Sequence, residues 1–80
     1  MNMSEAEEMS EFLKTRDEYI DALAKALRAE KQARRYFNSL MNYESLYSKA
    51  KIKQAEEDLQ EFRTDTDAWI LHIKNFLSEY

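Results

Sequence analysis

Apolar residues recur every three or four positions along nearly the whole chain. In the first half they are Met9, Phe12, Leu13, Tyr19, Ile20, Leu23, Ala26, Leu27, Ala33, Phe37, Leu40 and Met41. Steps of three and four keep side chains on one side of a 3.6-residue helix, so this stretch predicts an amphipathic helix from about residue 4 to 40. Ser4 with Glu7 three residues later forms a capping-box signature at its start. Arg16 and Glu30 interrupt the apolar stripe, and the stripe slips near Ala29, where a bend is expected. The second half is more regular. Ile52, Leu59, Thr66, Ile73 and Tyr80 are spaced by seven, as are Ala55, Phe62, Trp69 and Phe76. These interleaved tracks make a heptad pattern and predict a second helix over about 46–79. Thr64 or Asp65 could cap a new helix, so a break at residues 64–67 is the alternative. The heptad phase runs through that segment unchanged, which favours one helix.

Between the two patterns, "NSLMNYES" (residues 38–45) gathers two Asn and two Ser, and it predicts a turn at about 41–45 with Asn42 as a cap of the second helix or in a left-handed turn. Two arms of ~55 Å then run antiparallel, at 1.5 Å per residue. A turn at that place pairs residues whose numbers sum to about 85, as in a short-looped αα-hairpin. Phe12 falls near Ile73, Leu23 near Phe62, Leu27 near Leu59, and Arg16 beside Trp69, where a cation–π contact would account for a charge in the stripe. The expected fold is all-α: a single domain built as an antiparallel helical hairpin. Trp69, Ile70, Ile73, Phe76, Leu77 and Tyr80 cover an arc wider than one seam, which implies a further neighbouring helix. Dimerisation into a four-helix bundle would provide it, as would a third helix or a target protein.

Composition narrows the class. The 80 residues include no Gly, Pro or Cys. Sheet-rich folds need the turns that Gly and Pro supply, and strong helix formers fill the intervals here instead. A phosphate-cradling loop needs Gly, while disulfides and cysteine nucleophiles need Cys. The first dozen residues are acidic without an apolar run, and no stretch approaches the ~20 apolar residues of a membrane span. A soluble, cytoplasmic protein without cofactors is expected. His72 is the only histidine; its neighbours one helical turn away include no carboxylate, so a partly buried structural role is expected rather than a metal ligand. Residues 13–27, "LKTRDEYIDALAKAL", resemble the opening helix of small all-helical chorismate mutases, which would imply an anion site at Arg16. The basic residues after Arg16 are out of step with that family's site, and no enzyme is expected.

Charge is segregated along the chain. Residues 1–27 carry a net −4, residues 28–53 a net +5 and residues 54–80 a net −5. A hairpin would gather both acidic segments at its open end and the basic segment at its tip. The expected function is therefore protein–protein interaction, as an adaptor, inhibitor or regulatory subunit, with an apolar face buried and charge fixing register. Trp69, Ile73 and Phe76 are the candidate apolar anchors, and a homodimer or a foreign protein the candidate partner. The alternative is a polyanion or nucleic acid bound at the tip by Arg34, Arg35, Lys49, Lys51 and Lys53, with Tyr36, Phe37, Tyr43 and Tyr47 available for stacking.

Overall fold

The computed structural model describes residues 4–79, so Tyr80 and its place in the heptad lie outside the described residues. Helix α1 spans Glu5–Asn42, and helix α2 spans Lys49–Ser78. They pack antiparallel into a rod of 65 × 16 × 15 Å, which is the width of two helices side by side. A single 3₁₀ turn over Glu44–Leu46 joins them.

Each helix start is made by a serine. The Ser4 hydroxyl accepts from the Glu7 N–H at 3.2 Å, and the Ser48 hydroxyl accepts from the Lys51 N–H at 3.1 Å. Each occupies a backbone donor that has no partner within its helix. Ser48, not Asn42, is thus the second cap. The reversal itself needs no glycine: no described residue has positive φ. Tyr43 and Tyr47 turn the chain at φ of −128° and −121°, on either side of the 3₁₀ turn. Backbone bonds from Tyr43 N–H to the Leu40 carbonyl and from Leu46 N–H to the Tyr43 carbonyl close it.

Because α1 runs on to Asn42 and the turn occupies 43–48 rather than 41–45, the register moves. Phe12 stacks on Phe76 with ring centroids 5.3 Å apart, and Tyr19 meets Trp69 at 6.1 Å. In both pairs the residue numbers sum to 88. The Arg16–Trp69 pairing expected from the earlier turn gives way to Tyr19–Trp69, and Arg16 instead donates to its neighbour Asp17 at 3.1 Å. At the observed register Ala22, Ala26, Ala29 and Ala33 of α1 fall opposite Thr66, Phe62, Leu59 and Ala55 of α2. Small side chains on one helix thus accommodate mostly larger ones on the other along the middle of the rod. Aromatic rings fill the open end, where Tyr19 also meets Phe76 edge-on at 5.1 Å.

Burial follows the second helix's heptad except at Phe62, which is 36% exposed. Ala55, Leu59, Thr66 and Phe76 are buried, and Ile52, Trp69 and Ile73 are half-buried on the same tracks. Helix α2 runs unbroken through 64–67, which settles the alternative of a third helix there. The Thr64 and Thr66 hydroxyls donate back to the carbonyls of Gln60 and Phe62 at 3.0 and 3.1 Å, so they decorate the helix interior rather than cap a new start. Helix α1 is likewise continuous past Ala29. Its fault at Glu30 is satisfied one turn on, where Arg34 donates to the Glu30 carboxylate at 2.8 Å.

Two stability measurements check this account. Ser48→Ala should lower unfolding free energy by about 1 kcal/mol, as loss of a serine cap typically does, seen as a lower urea midpoint with unchanged slope. Thr66→Val should raise it by roughly 0.5–1 kcal/mol, since the Phe62 carbonyl keeps its helical partner and an apolar seam position loses a buried hydroxyl.

Candidate functional site

A helix in a two-helix rod buries the rows that face its neighbour, and α1 carries more apolar rows than that. Phe12, Tyr19, Ala26, Ala33 and Leu40 recur every seven residues and line the seam with Thr15, Ala22 and Ala29. Leu13, Ile20 and Leu27 also recur every seven, one position later, and all three are exposed. Leu23 lies between these rows and is half-buried; Met9, on the same intermediate row, is 58% exposed. The sequence stripe that reads as one seam is therefore two surfaces, only one of them covered. Leu23 and Leu27, expected against Phe62 and Leu59, belong to the outer side.

The second helix adds to the same flank. Ile70 and Leu77 are seven apart and correspond in the antiparallel pair to the intermediate row of Met9 and Leu23, with Leu13, Ile20 and Leu27 one row further out on the same flank. In an antiparallel pair, corresponding flanking positions of the two helices lie on one side of the rod. Ile70 and Leu77 are 36% and 49% exposed. At the observed register Leu77 lies level with Leu13 and Met9, and Ile70 level with Ile20. The result is an apolar strip along the open half of the rod, formed by Met9, Leu13, Ile20, Leu27, Ile70 and Leu77, and crossed by the exposed Arg16 between Met9 and Leu23. It ends where Glu30 and Arg34 continue the α1 rows as an ion pair.

The residues expected as anchors stand elsewhere. Phe76 is buried between Phe12 and Tyr19, Trp69 is half-buried against Tyr19 and the edge of His72, and Ile73 is half-buried on the same seam. All three lie on the seam between the two helices. The exposed strip beside them is marked in the sequence only by being one residue out of phase with the seam, a signal that becomes legible once the seam is known. His72 itself is exposed, not partly buried, with its ring centroid 5.6 Å from that of Trp69.

The five cations of the tip do not form one surface. Arg34 is engaged by Glu30, and the Lys51 ammonium lies 5.3 Å over the Tyr47 ring. Arg35, Lys49 and Lys53 are exposed; Lys49 continues the row of Ile70 and Arg34 that of Leu27, on the strip's flank, while Arg35 stands on a different row. Exposed Tyr43 and Leu46 sit at the turn between them. On the flank away from the apolar strip, Ala29, Ala33, Tyr36, Ala55 and Phe62 line an open groove of ≈ 270 Å³, the space left where alanine faces alanine. Among the described residues no helix is long and apolar enough to cross a membrane. The chain matches no family model, no curated protein and no solved structure.

Proposed function

We propose that the protein is a helical protein–protein interaction module that acts by burying the apolar strip of its open half. The observation that carries this reading is the second apolar row of α1, in which Leu13, Ile20 and Leu27 are 38%, 49% and 46% exposed at heptad spacing, with Ile70 and Leu77 beside them. Scattered surface leucines are ordinary, whereas a contiguous row rimmed by charge is the mark of an interaction surface. The rim is present: Lys14, Asp17, Asp21 and Lys74 are all exposed nearby. Helix-in-groove recognition uses such i, i+3, i+4 and i+7 anchors. An adaptor, inhibitor or regulatory subunit would work through this surface without chemistry of its own. Polyanion binding at the tip has less support, because two of its five cations are engaged locally.

The double variant Ile20→Gln with Leu27→Gln tests the reading. Both sites lie outside the hairpin seam, so the variant should keep its helical circular dichroism in the cold. A docking strip is either covered by association or open to an apolar fluorescent dye. The parent should therefore show self-association by sedimentation or dye binding, and the double variant should lose whichever is present. A variant that matches the parent in both would refute the strip as a docking surface.

A further inference from the structure

The occupant of the strip can be chosen from charge and from the size of the hairpin's own core. Only Leu40, Ala55, Leu59 and Phe76 are buried apolar residues among those described. A chain of this size ordinarily needs more cover than that, and oligomerisation is one means of supplying it. The strip is centred near residue 18 of α1, level with Ile70 of α2, and it runs about 27 Å from Met9 to Leu27 at 1.5 Å per residue. A twofold axis across the rod at that level lays the strip upon itself, whereas full end-to-end overlap would put it against the Glu30–Arg34 ion pair.

Resting on the docking reading above, we infer that the strip's partner is a second copy of this chain, antiparallel and offset, with the open halves overlapped and the two tips pointing outward. Helix α1 then packs on α1 with residue numbers summing to about 36, the sum that a twofold near residue 18 imposes on an antiparallel pair. Met9 meets the second copy's Leu27, Leu13 meets its Leu23, and Ile70 lies close to its own symmetry mate. The charges favour this direction. Glu5, Glu7 and Glu8, all exposed in the first turn of α1, come level with Arg28 and Lys31 of the second copy, which are also exposed. A parallel pair would instead bring Glu5, Glu7 and Glu8 level with the same three residues of the second copy, acid against acid. Like-charge juxtaposition of that kind suppresses the wrong arrangement more than complementary charge strengthens the right one.

The absence of native cysteine makes cross-linking direct. Met9→Cys and Leu27→Cys proteins, mixed in equal amounts and oxidised at low salt, should give mainly the 9–27 mixed disulfide, identified by mass spectrometry. Ile20→Gln with Leu27→Gln should weaken dimerisation by about 30-fold or more, as loss of central interface anchors does. Arg28→Glu with Lys31→Glu, both outside the strip, should weaken it several-fold at low salt and little at high salt. Predominant 9–9 and 27–27 disulfides would overturn the antiparallel arrangement. A monomeric mass with dye binding that depends on Ile20 and Leu27 would overturn the second copy as partner while leaving the docking strip intact. A monomeric mass with no such dye binding would overturn both.

Discussion

A helix paired with one other helix can bury little more than the two rows that face it. That limit organises this molecule. Helix α2 comes close to obeying it, with its apolar residues concentrated on two heptad tracks and only Ile70, Leu71 and Leu77 left over. Helix α1 exceeds it, because a complete second row follows the seam one position behind. Most of the excess lies in the open half; beyond Leu27 the same rows turn to Glu30 and Arg34 before Phe37 and the exposed Met41 follow. The hairpin thus accounts for one apolar surface of the chain and leaves another whose energetics depend on what covers it.

The seam fixes where that second surface lies. Alanines along the middle of α1 let Leu59, Phe62 and Thr66 of α2 approach, and the Phe12–Phe76 and Tyr19–Trp69 contacts lock the register at the open end. Register in an antiparallel pair decides which residues share a level. It is therefore the three-residue difference from the sequence-based pairing that brings Ile70 level with Ile20 and Leu77 level with Leu13. Thr66, a polar residue on the seam, is tolerated because its hydroxyl turns back onto its own helix at 3.1 Å.

Much of the architecture was legible in the residues alone. The Ser4 cap, the heptad of α2 through Thr66 and the all-helical hairpin follow from spacing and from the absence of Gly and Pro. The turn was less so, since Asn42 and Ser48 are both good caps and only the folded pairing selects Ser48. That ambiguity of a few residues propagates along the whole rod, which is why Arg16 was placed against Trp69. Seam and docking residues are harder to tell apart. Trp69, Ile73 and Phe76 are the most conspicuous apolar residues of α2, and conspicuous residues are also those that a small core needs most. A one-position phase difference between Phe12 and Leu13, or Tyr19 and Ile20, carries no visible label in a sequence where both are apolar.

Small-angle X-ray scattering on the unmodified protein tests the central claim most directly, because mass and length are read from one sample. The offset antiparallel pair predicts twice the chain mass of 9.6 kDa and a maximum dimension of about 85 Å, from two outward arms of ~28 residues at 1.5 Å each. A particle of 9.6 kDa no longer than the 65 Å hairpin, at concentrations well into the micromolar range, would contradict it.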